Sequence, residues 1–193
     1  MRYSPSSSDR SAKLVVWALI AAGAAVFCLQ GAFPQARAVL QAGAVVLFGI
    51  GIWFAVRFLM TTIVCEIALR TPDDLPGGVP AMHADVTLLP PEMLDLVVSR
   101  GVGQRAPVVT ARMGLDELVW FGSVTRRDLK SAAPYRKYLS ARTYDYTVSL
   151  HPDTLYLAVF LDSANNASAL LLELSPEMAV KMEEIVKETD TRG

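Results

Sequence analysis

Two apolar runs stand five residues apart near the start of the chain: LVVWALIAAGAAVFCLQGAF over 14–33 and VLQAGAVVLFGIGIWFAVRFLM over 39–60. The first holds twenty residues and no charge. At 1.5 Å of rise per residue it makes a helix of about 30 Å, the thickness of a hydrocarbon core. The stretch FPQARA that separates the runs admits two readings. Ala36, Arg37 and Ala38 have the small-x-small spacing of a signal cleavage site, and Arg10 and Lys13 could supply its basic flank. Signal-peptide apolar regions are shorter, however, about 7–15 residues, and a second run follows at once. A lipoprotein site at Cys28 is excluded by Phe27, where a small residue is required. The favoured reading is a transmembrane hairpin with spans 14–33 and 39–60; a cleaved signal is the alternative.

Basic residues orient such a hairpin. Arg2, Arg10 and Lys13 precede it and Arg57 and Arg70 mark its exit, whereas the turn carries only Arg37. Positive flanks stay on the cytoplasmic side, so the tail 1–13 and the domain 61–193 are both expected there. Arg57 reads as an anchor that snorkels to the interface. Ala18, Ala21, Ala22 and Ala25 recur at helical spacing, and Gly43, Gly49 and Gly51 punctuate the second run. Small residues permit close helix contact in lipid, so the hairpin is expected to pack on itself, with homo-oligomer contact as an alternative.

The remainder is of mixed polarity and long enough for one domain with its own core. After Met60 there are 13 Lys and Arg against 18 Asp and Glu, a balance of −5. That sign argues against a nucleic-acid partner, whose phosphates demand the opposite. Cys28 and Cys65 make neither a disulfide framework nor a metal knuckle.

Strand periodicity fills this domain. TTIVCEIALR alternates Ile63, Cys65, Ile67 and Leu69 against Thr62, Glu66 and Arg70. Pro72, Pro76, Pro80, Pro90 and Pro91 break 71–92, where DVTLL at 85–89 could add an edge piece. Strands are expected at 93–100, 105–113 and 117–125, with a turn at 101–104 and Pro107 marking an edge or a bulge. TYDYTVSL (143–150) alternates cleanly, TLYLAVFL (154–161) is apolar on both faces, and DSANNA turns the chain into SALLLEL (168–174). The sequon Asn166-Ala167-Ser168 reads as turn chemistry. Ser175 as N-cap and Pro176 at the first position open a helix over 175–188. Met178, Met182, Ile185 and Val186 form its apolar stripe.

Seven strands followed by one amphipathic helix suit a small barrel plugged at its open end. With the hairpin, LDLVVSRGVGQRAPVVTARMGLDEL, YDYTVSL and LLLELSPEMAVKMEEIV, this order resembles bacterial pleckstrin-homology-like (PH-like) domains carried behind a transmembrane hairpin, many of them uncharacterised Gram-positive proteins. The resemblance implies a mainly antiparallel PH-like barrel of about seven strands with a C-terminal capping helix. The chain differs from eukaryotic lipid-binding members, which keep a tryptophan in the last helix and basic residues in the first loop. Here 176–188 has no Trp, and 71–92 has Asp73, Asp74, Asp85 and Glu92 without Lys or Arg.

No catalytic constellation stands out. His83 lies in the Pro-rich loop and His151 in a His-Pro-Asp turn, neither in a recognisable hydrolytic or metal motif. Asp73-Asp74 read as solvated loop residues. No enzyme activity, cofactor or metal is therefore expected. The one concentrated feature is RRDLKSAAPYRKYLSAR (126–142). It sets Arg126, Arg127, Lys130, Arg136, Lys137 and Arg142 against Asp128 alone, with Tyr135 and Tyr138 interleaved. Such a segment suits an anionic leaflet or a protein partner, or is simply a solvated loop. The expectation is a membrane-anchored recognition or scaffolding protein of a bacterial plasma or inner membrane, binding a protein, peptide or lipid headgroup; the alternative is a structural subunit of a membrane complex.

Overall fold

The structure is a computed structural model and describes residues 1–5, 10–70, 89–103, 105–126, 129, 141–152 and 154–192 (189–192 by backbone alone). Two helices, α1 (Arg10–Leu29) and α2 (Arg37–Phe54), pack antiparallel, and α2 continues through a wider π-type turn over Ala55–Met60. Both are long and apolar enough to cross a membrane, as expected. The first helix stops at Leu29, before the end of its apolar run, and Gln30 meets Gln41 across the turn at 3.0 Å.

The helices touch along Ala12, Val16, Gly23, Ala44 and Gly51, all buried. A Cβ on Gly23 would press on the Phe48 ring at 3.2 Å, so the glycine sets this approach. The hairpin thus packs on itself, but through Gly23 and Gly51 and not through Ala18, Ala21, Ala22 and Ala25, which face outward.

No closed barrel forms among the described residues. The described residues hold eight strands in two four-stranded sheets: β1 (Arg2–Tyr3), β2 (Thr61–Leu69), β3 (Leu94–Val102) and β4 (Val108–Gly114) in the first, ordered β1-β2-β3-β4. The second holds β5 (Leu118–Ser123), β6 (Arg142–Tyr146), β7 (Tyr156–Leu161) and β8 (Ala167–Leu172), ordered β5-β7-β8-β6. Strand β1 comes from the supposed tail: Arg2 pairs with Glu66 and Tyr3 with Cys65, and Ser4 Oγ donates to Ile63 O at 3.0 Å. The strand expected at 143–150 ends early, and β6 crosses to the far side of β8, where it pairs parallel. That parallel ladder replaces the expected antiparallel meander. The edge position that Pro107 argued for holds, since β4 closes one side of its sheet. The edge piece at 85–89 falls almost wholly outside the described residues.

One core lies between the sheets: Ile63, Cys65, Ile67, Leu94, Leu96 and Val98 meet Leu118, Phe121, Phe160, Leu170 and Leu172. The helix α3 (Pro176–Arg192) adds Met178, Met182 and Ile185, each at most 1% exposed. Ser175 caps it, accepting from Met178 N at 3.3 Å. A second cluster, Leu155, Leu157, Val159, Ala169 and Leu171, covers the other face of the second sheet, so β7 is buried on both faces. At the β7–β8 turn Asp162 accepts from Asn166 N (2.8 Å) and Nδ2 (3.0 Å), which makes the sequon asparagine a turn residue.

Candidate functional site

The second helix passes into β2 without a linker: Met60 ends one and Thr61 begins the other. Thr61 Oγ donates to Val56 O at 2.8 Å and closes the helix end. Arg57, one turn earlier, turns away from the apolar surface and into the domain. Its Nη1 donates to Thr147 O at 2.8 Å, and its Nη2 lies 3.7 Å from Asp145 Oδ1. The same carboxylate sits 3.6 Å from Arg126 Nη2, which also donates to Thr147 Oγ at 2.8 Å. Thr147 in turn gives its N–H and hydroxyl to Asp145 Oδ1, at 2.9 and 2.7 Å.

The loop that carries these acceptors is held from behind. Glu173, buried at the end of β8, accepts from Val148 N and Ser149 N at 2.8 Å each and from Ser149 Oγ at 3.0 Å. A buried carboxylate is tolerable only with such donors. The charges of Arg100, Arg126, Asp145 and Glu173 all bear on Arg57. Three arginines and two acids therefore gather where the helices meet the domain. Next to them Val124, Thr125, Arg126, Leu150, His151, Pro152 and Leu155 line an open cleft of about 230 Å³. One guanidinium and one imidazole over an apolar floor can take a small anionic group.

Of the basic segment, Arg126 and Arg142 are described, and the structure separates them. Arg126 belongs to the junction. Arg142 lies three residues up β6 from Asp145, roughly 10 Å along the strand, with its guanidinium 5.2 Å from the centre of the Tyr144 ring. Arg127, Lys130, Tyr135, Arg136, Lys137 and Tyr138 lie outside the described residues, as does His83.

A second ionic cluster sits at the opposite end of the first sheet. Arg70 clamps Asp116 with both terminal nitrogens, at 2.7 and 3.3 Å, and Asp95 with Nε at 3.0 Å; Arg112 Nε completes Asp95 at 2.6 Å. The bidentate bonds to Asp116 are the main reason the Arg70 pKa is raised above its ordinary value. A Cβ on Gly114 would overlap both the Arg70 guanidinium and the Asp116 carboxylate, so this position admits glycine alone without rearrangement. This cluster staples β2 to β3 and β4.

Sequence reasoning missed Asp145, Thr147, Glu173 and the inward turn of Arg57. A usable signal existed: Arg57 and Glu173 each stand alone in an apolar run. Comparison with protein-family models, curated proteins and solved structures yields no match.

Proposed function

We propose that the protein is a membrane-anchored, non-enzymatic recognition protein whose domain is held at the cytoplasmic face of a bacterial plasma or inner membrane, where its basic side meets anionic lipid headgroups. One observation carries the reading. The helices leave bulky apolar side chains facing outward, among them Leu14 (70% exposed), Trp17 (69%) and Trp53 (60%), yet the domain follows them with no linker and binds Arg57. The core helix of a soluble protein would bury those groups. In a bilayer they face lipid, and Arg57 ties the domain to the headgroup layer. A cleaved signal fits poorly, because residues 2–3 form a strand of the domain itself.

The positive charge of Arg126 and the residues after it supports a lipid ligand, since each basic residue near an anionic leaflet contributes roughly 1 kcal/mol. Extraction of the full chain in mild detergent, with quantification of the lipid it retains, tests this. Anionic phospholipid should be enriched over its bulk share at 0.1 M salt. The enrichment should fall at 1 M, where the screening length drops from about 10 Å to about 3 Å, and in Arg126→Glu with Lys137→Glu. Retained lipid that mirrors the bulk composition would overturn the headgroup reading.

A second reading, a structural subunit of a membrane complex, is favoured by the outward stripe of Ala18, Ala21, Ala22 and Ala25. Small side chains on a lipid-facing surface suit contact with another helix.

A further inference from the structure

Beyond Met60, the large apolar side chains exposed among the described residues are Val102 (41%), Val108 (70%), Val109 (56%) and Val180 (55%). Val180 stands singly on α3, which is ordinary. The other three lie together at the β3–β4 hairpin, and β4 is a sheet edge. An exposed apolar edge strand is a pairing and aggregation hazard unless something covers it.

The register shows where this hairpin sits. Strand β2 leaves the membrane helix at Thr61 and β3 returns antiparallel, so that Val102 lies opposite Thr61. Gly103, in the left-handed region at φ 65°, donates its N–H to Met60 O at 2.8 Å. The hairpin tip is thus bonded to the last residue of the candidate span. That span, Pro34–Met60, has 27 residues, about 40 Å of helix, against a hydrocarbon core of about 30 Å. With its far end at one interface, Met60 reaches the headgroup layer of the other. The tip carries Arg100 and Arg105, both exposed, and no acid occurs from 96 to 115.

We propose that the β3–β4 hairpin is a second membrane contact, with Val102 and Val108 in the interfacial layer beside α2 and Arg100 and Arg105 against lipid phosphates. The inference rests on the reading of α1 and α2 as membrane spans. It adds that the domain lies against the bilayer on a fixed side, since Arg57 and the hairpin tip, bonded to Met60, both secure it where the helix ends.

Single cysteines in the full chain, on a Cys28→Ala background, test it. Cys65 is fully buried and stays unlabelled. An environment-sensitive fluorophore is placed at Val108→Cys, at Val46→Cys on the outer face of α2, and at Val180→Cys. The labelled chains are reconstituted in vesicles with and without lipids carrying a quencher either just below the headgroups or at mid-chain. Val108→Cys should be blue-shifted and lose most of its intensity to the shallow quencher, as Val46→Cys does to the deep one, while Val180→Cys is unaffected by either. Quenching at Val46→Cys without quenching at Val108→Cys overturns the hairpin contact and leaves the spans intact. Loss of quenching at both sites overturns the two together. A blue shift at Val108→Cys that is equal in detergent and unresponsive to either quencher assigns the edge to a second copy of the chain, and also overturns the proposal.

Discussion

Arg57, Asp95 and Glu173 stand alone in FAVRFLM, LDLVV and LLLEL, and each is satisfied by groups remote in sequence. Taking an ion out of water costs several kcal/mol unless partners replace the solvent. A lone charge in an apolar run therefore announces that partners exist. It does not name them: Thr147 lies 90 positions from Arg57 and Glu173 25 positions from Val148, separations that only the tertiary fold closes. Cys65 shows the converse case, a titratable group buried without a counter-charge. Burial, reinforced by the charge of Glu173, pushes its thiol up to about 12 from 9.0. The unfolded chain gives up this proton from about pH 9, whereas the folded chain holds it to about pH 12. Stability is therefore complete below pH 9 and is lost as pH rises through that window. Chemical denaturation of the full chain at pH 8 and pH 11 should show a loss that Cys65→Ala reduces by about 3 kcal/mol. An equally steep loss in Cys65→Ala would place the alkaline sensitivity elsewhere.

Helices and strands were legible because apolar period declares which face is buried. The stripe of α3 and the two-faced burial of β7 followed from it, while the edge position of β4 followed from Pro107, which has no N–H to give a ladder. Period does not declare partners. YDYTVSL has the alternation of a strand whether it pairs with β7 or crosses to β8, and the parallel ladder depends on residues 147–155 carrying the chain back. The Glu173 bonds to Val148 and Ser149 fix that departure and end β6 early. Likewise β1 is only two residues long, too short to show any period, and exists because β2 offers an open edge. At this scale the decisive element is α3. Met182 is fully buried in the shared core, so Met182→Asp should cost about 3–5 kcal/mol by burying an unpaired charge. Val180→Asp, on the exposed face, should stay within about 0.5 kcal/mol. Thermal melts of the full chain in detergent that fail to separate these variants would contradict the placement of the helix.

At the scale of the whole molecule, the hairpin and the domain are one construction. The chain enters the domain's first sheet at residues 2–3, leaves through α1, returns through α2 and re-enters the same sheet at Thr61 with no intervening linker. The start of α1 and the end of α2 therefore share one end of the helical pair, and FPQARA marks the other. That arrangement agrees with the charge bias read from Arg2, Arg10, Lys13, Arg57 and Arg70 against Arg37. The central claim is that the helices span a bilayer with the domain on one side and the turn on the other. Its most direct test places a compartment-sensitive reporter after Gly193 and, in a separate chain, within residues 34–38. The account predicts opposite signals, cytoplasmic for Gly193 and external for the turn, from a chain that keeps α1. Identical signals, or a mature chain beginning at Val39, would contradict it.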